Sequence, residues 1–321
     1  MRLLIVRLSA LGDIVHTLPL AENAGLAGAS VGWVCEERYR DLLEGNLWVG
    51  RLFSSDTRAW RRDPAARGTR HGLWRLRREL SCFEADHVID AQGLWKSAIL
   101  ARAAGSPVIG FAASERREGA SALLCSRRVR PPTEARHIVD RNLALLSAAG
   151  IPVERRAPDA TYLLRRPEPK AETFLAVQPR PFALYHPGAG WREKIWGEEK
   201  LADVARLLRE RGVHPVVSWG PGDEVPAARM EALLPETARI PALPIHGLAR
   251  VAAAAAIFVG GDTGPLHLAD AVGARTLALF GPTDPERNGP YRGVSIRFDS
   301  TTPEAVALRA LDILKTRSSS S

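Results

Sequence analysis

Several short stretches of this chain carry residue types that can do chemistry. Ser9-Ala10-Leu11-Gly12-Asp13 follows an apolar run, Leu3 to Leu8. Gly12 allows close backbone approach there. Asp13 has two readings: a helix N-cap worth about 1 kcal/mol, or a carboxylate kept ionised by a helix N-terminus so that it can accept a proton. Asp90-Ala91-Gln92-Gly93-Leu94-Trp95-Lys96-Ser97 is a second strand-turn-helix junction, where Lys96 and amide N–H groups can hold an anion. His186-Pro187-Gly188-Ala189-Gly190 is a third, followed by Lys194, one of only five lysines among 44 basic residues. It lacks the GK(S/T) ending of a P-loop, which counts against an ATPase.

The most suggestive stretch is Ile257 to His267, where an apolar strand ends in Gly260-Gly261-Asp262-Thr263-Gly264-Pro265-Leu266-His267. Asp262 or Thr263 can cap the following helix, and Pro265 fits its first turn. The leading N–H groups with the helix dipole behind them suit a diphosphate; the alternative is a capped turn with no ligand. A carboxylate in Ser218-Trp219-Gly220-Pro221-Gly222-Asp223-Glu224, at another strand end, can accept hydrogen bonds from ribose hydroxyls. The apolar loop Pro241-Ala242-Leu243-Pro244-Ile245 can cover a purine or be ordinary core. No stretch reads GxGxxG, so a dinucleotide fingerprint is absent.

All these junctions need strands that end where helices begin. Strands are predicted at 3–8, 30–34, 87–90 and 107–110, with helices at 14–24, 36–44, 73–82 and 94–104. The pattern restarts with strands at 182–185, 214–218, 257–260 and 276–280 and helices at 197–211, 225–234, 248–255, 265–272 and 303–315. Alternation of this kind implies parallel sheets wrapped by helices. Residues 1–165 are expected to form one domain, 166–181 a Pro-rich linker, 182–301 a second domain, and 302–321 a helix and a disordered Ser tail. Doubly wound domains bind ligands at the carboxyl ends of their strands.

Composition narrows the partners. The 321 residues carry a net charge of +8. Residues 1–170 hold 27 basic against 19 acidic residues, and 171–321 hold 17 of each. An anionic partner for the first half follows, unless Arg-rich codon usage accounts for the excess. Arg58, Arg61, Arg62, Arg67, Arg70, Arg75, Arg77 and Arg78 interleave with Trp60 and Trp74, which suits a solvated helix face, a peripheral membrane patch or nucleic acid. No run reaches the roughly 20 apolar residues of a membrane helix. Cys35, Cys82 and Cys125 show no CxxC pairing, so small buried hydrophobes are expected instead of a disulfide or zinc site. A cytoplasmic protein is the expectation.

Leu4 to Pro19, Ile89 to Ser97, His186 to Ala189 with Lys194 and Trp196, Gly261 to His267 and Gly281-Pro282-Thr283-Asp284-Pro285 together resemble the bacterial lipopolysaccharide heptosyltransferases (glycosyltransferase family 9), most closely its heptosyltransferase I members. The likeness covers nearly the whole chain. It implies an α/β protein of GT-B architecture, with two Rossmann-like doubly wound domains facing a central cleft. It further implies an inverting transfer of heptose from ADP-heptose to a Kdo residue of Kdo-lipid A. The enzyme would be metal-independent and without a cofactor, a monomer peripheral to the cytoplasmic face of the inner membrane, with no nucleic-acid partner.

Carried over by motif, Asp13 is the general base. Gly188, Ala189, Lys194, Glu224, Leu243, Asp262, Thr263, Gly264, Pro265 and His267 bind the donor. Ser9, Gly12, Arg61, Lys96, Ser97, Arg117 and His137 face the acceptor. The turn Gly188-Ala189-Gly190 departs from members that carry hydroxyl residues in a shorter loop. The alternatives are heptosyltransferase II or a related nucleotide-sugar transferase and, from another class, a basic binding protein without catalysis.

Overall fold

The computed structural model describes residues 1–316; the Ser tail expected to be disordered lies outside them. The chain divides into two compact units, Met1–Pro158 and Asp159–Ser321.

Unit 1 is built on strands β1 (Arg2–Val6), β2 (Ser30–Glu36), β3 (Val49–Ser55), β4 (His87–Asp90), β5 (Val108–Phe111) and β6 (Arg127–Val129). All pair in parallel in the order β3-β2-β1-β4-β5-β6. β1 reads Leu3-Leu4-Ile5-Val6, each fully buried, as a strand covered by helices on both faces must. One face packs Leu4, Val6, Val34 and Val88 against Leu76, Leu80, Leu100 and Ala101 of the helices Arg67–Ser81 and Trp95–Ala103. The edge strands β3 and β6 escape sequence periodicity because Gly50-Arg51 and Arg127-Arg128 interrupt it.

The helix expected at 14–24 is two, Leu11–Val15 and Leu18–Leu26. Pro19, in the second helix's first turn, has no N–H to extend a continuous helix, so the chain restarts at Thr17. The helix expected at 36–44 begins later, because Glu36 still belongs to β2; a 3-10 turn Glu37–Tyr39 and the helix Arg40–Leu43 follow. Cys35 and Cys125 are buried as expected, but Cys82 is exposed at the C-cap of Arg67–Ser81.

Unit 2 repeats the plan with β7 (Phe182–His186), β8 (His214–Val217), β9 (Ala238–Arg239), β10 (Ile257–Gly261), β11 (Thr276–Phe280) and β12 (Val294–Arg297). All pair in parallel, in the order β12-β11-β10-β7-β8-β9. Read from β7, this is the same doubly wound order as unit 1. The segment expected to be a linker is not one. Residues Pro169–Val177 form a helix capped by Glu168, with Pro169 in its first turn. It packs on the helix Ile245–Ala254 through fully buried Ala171, a Glu168–His246 contact at 3.3 Å and an Arg250–Glu172 contact at 3.8 Å, and Arg250 also donates to the carbonyls of Leu164 (2.8 Å) and Arg166 (2.6 Å) in the segment just before it. The prolines serve as helix starters, and the boundary between units falls after Pro158 instead of at 165.

Candidate functional site

In each sheet the strand order reverses at one point, between β1 and β4 in unit 1 and between β7 and β10 in unit 2. The connections leave these neighbours in opposite directions and open a crevice at their carboxyl ends. Four of the sequence-predicted turns, those after β1, β4, β7 and β10, lie at these two points.

In unit 1, Asp13 stands in the first turn of Leu11–Val15 as its third residue. It is not the N-cap, but its Oδ2 accepts the Ala10 N–H at 3.1 Å. Its Oδ1 meets Arg7 Nη2 at 2.6 Å; the Arg7 side chain is 8% exposed and Asp13's is 47% exposed. The carboxylate is thus gripped from beneath and open above. Arg7 Nη1 donates to the Ala91 carbonyl, which ties the turn after β1 to the turn after β4. Gln92 repeats that tie, accepting Leu8 N–H at 2.8 Å and donating to Ser9 Oγ at 3.3 Å. Asp90 Oδ1 accepts the N–H groups of Gln92 (3.2 Å) and Gly93 (3.3 Å), while Oδ2 meets Arg116 Nη1 at 2.8 Å, with both side chains wholly buried. Gly93 has φ +72°, and a side chain there would also press on Arg116. Gly12 is buried beside Asp13.

Of the other predicted acceptor-side residues, Lys96 Nζ lies 3.3 Å from Glu36 Oε1. Arg61 is exposed on the helix Thr57–Arg62. Arg117 is exposed on a loop that packs over the β4 turn, where Glu118 N–H reaches Gly93 O at 3.4 Å and the Glu118 carboxylate accepts Trp95 N–H at 2.5 Å. His137 caps Ile138–Ala148, and its ring stands edge-on to His16, 5.5 Å away, just after the helix that carries Asp13. Ser97 is fully buried, and its hydroxyl is engaged by Leu94 N–H and C=O.

In unit 2, Lys194 Nζ meets Asp262 Oδ2 at 2.6 Å, and Asp262 Oδ1 meets His267 Nε2 at 3.1 Å. Burial opposes ionisation of Asp262, but the hydrogen bonds and positive charge of His267 and Lys194 outweigh it and hold its pKa at about 2. Asp262 is therefore a bridge between the Lys194 ammonium and the His267 ring, while Thr263 takes the N-cap of Gly264–Ala271 without a side-chain capping bond. Thr263 Oγ1 is buried and unpartnered. Pro265 lies in the first turn. A Cβ on Gly261 would stand 3.0 Å from the Lys194 carbonyl, so the two loops touch backbone to backbone. An uncapped helix N-terminus, the Lys194 ammonium and an unpartnered hydroxyl converge where β10 ends, which suits a polyanion.

The turn after β7 is backed by a polar chain that the sequence reading did not single out. Ser218 Oγ donates to Tyr185 O at 3.0 Å, so it accepts from His186 Nδ1 at 3.0 Å and leaves Nε2 facing Asp223 Oδ2 at 3.5 Å. Burial lowers the His186 pKa to about 4 against the pull of Ser218, and burial raises that of Asp223. A Cβ at Gly188 would fall 2.0 Å from Asp223 Oδ1, so the glycine is required by that carboxylate. Ala189 is half-buried on the same turn. Glu224 is exposed and accepts Gly222 N–H at 2.9 Å. Leu243 is half-buried and lies over Gly247. Arg7 and Glu36 were missed too; their signal is a charge directly ending a run of buried apolar residues.

Two doubly wound units of one strand order, each with charged groups at its switch point, give the chain the GT-B architecture. Within it, the chain belongs to glycosyltransferase family 9 (heptosyltransferase), whose sequence profile matches residues 73–316. It is 35% identical to lipopolysaccharide heptosyltransferase 1 of Pseudomonas aeruginosa over 96% of this chain and 86% of that one. It is 30% identical to the Escherichia coli K12 heptosyltransferase 1 over 91% of each. Among solved structures it is similar to E. coli heptosyltransferase WaaC with ADP, with a TM-score of 0.81 and 28% identity, covering 98% of this chain and 100% of that one. This membership makes the chain an enzyme and sets aside the basic non-catalytic binding protein. Among the described residues no helix is long and apolar enough to cross a membrane.

Proposed function

We propose that this enzyme transfers heptose from ADP-heptose to a Kdo residue of Kdo-lipid A, as a heptosyltransferase I working at the cytoplasmic face of the inner membrane. The observation that carries the donor half is the Lys194–Asp262–His267 chain at the uncapped N-terminus of Gly264–Ala271. The relatives' names and a WaaC structure with ADP-2-deoxy-2-fluoro heptose support the sugar.

In this reading, unit 2 binds the nucleotide sugar. The diphosphate takes Lys194 and the amides of Thr263 and Gly264, Glu224 meets the ribose, and Leu243 covers the adenine. Unit 1 holds the acceptor, with Arg61, Lys96, Arg117 and His137 facing its anionic groups. Asp13, open above and held by Arg7 below, takes the proton of the acceptor hydroxyl. The alkoxide then attacks the anomeric carbon from the face opposite ADP; the glycosidic bond forms as the carbon–phosphate oxygen bond breaks, and configuration inverts. Charge grows on the leaving diphosphate, where Lys194 and the helix amides stabilise it without a metal.

Mass spectrometry of products from ADP-heptose with Kdo-lipid A, and separately with its heptosylated form, tests the assignment. Transfer to Kdo-lipid A, insensitive to chelator, is expected. Preference for the heptosylated acceptor would make the chain a heptosyltransferase II. Asp13→Ala should lower kcat by about 10²- to 10⁴-fold and leave ADP binding intact; an unimpaired variant would remove Asp13 as the base.

A further inference from the structure

Glu36 is a carboxylate at the end of β2, only 2% exposed, and the chemistry above does not use it. A buried carboxylate is tolerated only when its oxygens are satisfied. Its Oε2 accepts the Thr57 N–H at 3.2 Å, and its Oε1 accepts both the Thr57 hydroxyl and Lys96 Nζ, the latter at 3.3 Å. Thr57 is buried and opens the helix Thr57–Arg62, on which Arg58, Arg61 and Arg62 are exposed. Lys96 lies in the first turn of the helix Trp95–Ala103, and its side chain is 23% exposed. One carboxylate therefore joins the end of β2 to the starts of two helices that carry cations from positions far apart in the chain.

We propose that Glu36 is a positioning residue for acceptor binding, which sets Lys96 and the Arg61 helix at fixed places on unit 1. This rests on the reading that unit 1 holds the acceptor through those cations. A carboxylate is required because it alone accepts all three bonds. An amide has one acceptor oxygen, and its NH₂ would face either the ammonium or the Thr57 N–H. Lys96 is a flexible point charge that a single partner must hold in place.

The test pairs kinetics with a readout that needs no substrate. Glu36→Gln should raise the KM for Kdo-lipid A about tenfold and leave the KM for ADP-heptose and the saturated kcat within about twofold. Lys96→Met should raise the acceptor KM at least as far, and the double variant should be no worse than Lys96→Met by more than the contribution of the Arg61 helix, which Thr57→Val reads alone as a smaller rise in acceptor KM. Additive losses in the double variant, an unchanged KM in Thr57→Val, or a lowered acceptor KM in Glu36→Gln would each overturn the proposal. Independently, acylation of Lys96 by an amine-reactive ester, followed by peptide mass spectrometry, should run several-fold faster in Glu36→Gln; an unchanged rate overturns it as well. If Lys96→Met and Arg61→Ala leave acceptor KM untouched while Lys96 labelling still responds to Glu36, the acceptor assignment fails and the positioning of Lys96 by Glu36 stands.

Discussion

At Gly188 the side chain that is missing matters more than any that is present. The turn after β7 reads Gly-Ala-Gly, and the reason lies one strand away, where Asp223 fills the place a Cβ would take. Adding that Cβ would also bring it within 2.9 Å of the Asp223 Cβ, so the whole side chain must swing away from beneath the turn and from His186. Overpacking of this kind costs about 1–3 kcal/mol. Gly188→Ala should therefore weaken ADP binding about tenfold by calorimetry, and adding Asp223→Gly, tolerable at an N-cap, should restore most of it. Unchanged affinity in the single variant would mean the turn yields at no cost. Residues of this sort divide by legibility. Asp13, Lys194 and Asp262 were legible because glycine and proline turns directly after apolar strands mark them. Asp223 and Glu36 were not, because their meaning comes from partners 35 and 60 positions away that only the fold brings near.

The helices show where local signals mislead. Four prolines between 165 and 181 read as a linker, yet Pro169 starts a helix whose buried Ala171 belongs to the core of unit 2. The helix expected at 73–82 in the Arg-rich stretch starts two turns earlier, because Arg67–Ser81 buries only Thr69, Leu76 and Leu80 and its first turns carry little apolar signal. Its remaining surface carries exposed Leu73 and Trp74 among arginines, with Arg78 over the Trp74 ring at 5.6 Å. The helix Trp95–Ala103, which covers the same sheet face, adds exposed Trp95 and Ile99. Aromatic side chains among arginines, outward from one helical layer, suit an anionic bilayer, where each basic residue contributes about 1 kcal/mol. Replacing Arg70, Arg77 and Arg78 by Gln should thus lower cosedimentation with phosphatidylglycerol vesicles by about two orders of magnitude, and Trp74→Ala should lower it further. Equal binding of the wild type to pure phosphatidylcholine vesicles would remove the electrostatic argument. The strong elements needed no such correction: β4 and β11 fall at their expected bounds because each is a short apolar run between helices.

On the scale of the molecule, two units of one strand order have become electrostatically unlike. With the boundary placed after Pro158, unit 1 holds 24 basic against 17 acidic residues, and unit 2 holds 20 against 19. Moving the boundary from the expected linker to its actual place leaves the contrast standing, so it follows the folded units and not an arbitrary cut through the sequence. Codon usage alone would enrich arginine in both units alike. A long-range field acts over about 8 Å at physiological ionic strength, so under the proposed function it should govern a polyanionic acceptor reached across an exposed surface more than a nucleotide held by short contacts to Lys194 and helix amides. Arg58, Arg61 and Arg62, exposed on one short helix of unit 1, are the place to separate the two. Replacing all three by Gln should raise the acceptor KM and flatten its increase with added salt, while the ADP dissociation constant and its salt dependence stay near those of the wild type. Should acceptor use and ADP binding weaken together, the excess charge of unit 1 would be a general property of its surface, with no bearing on which substrate it holds.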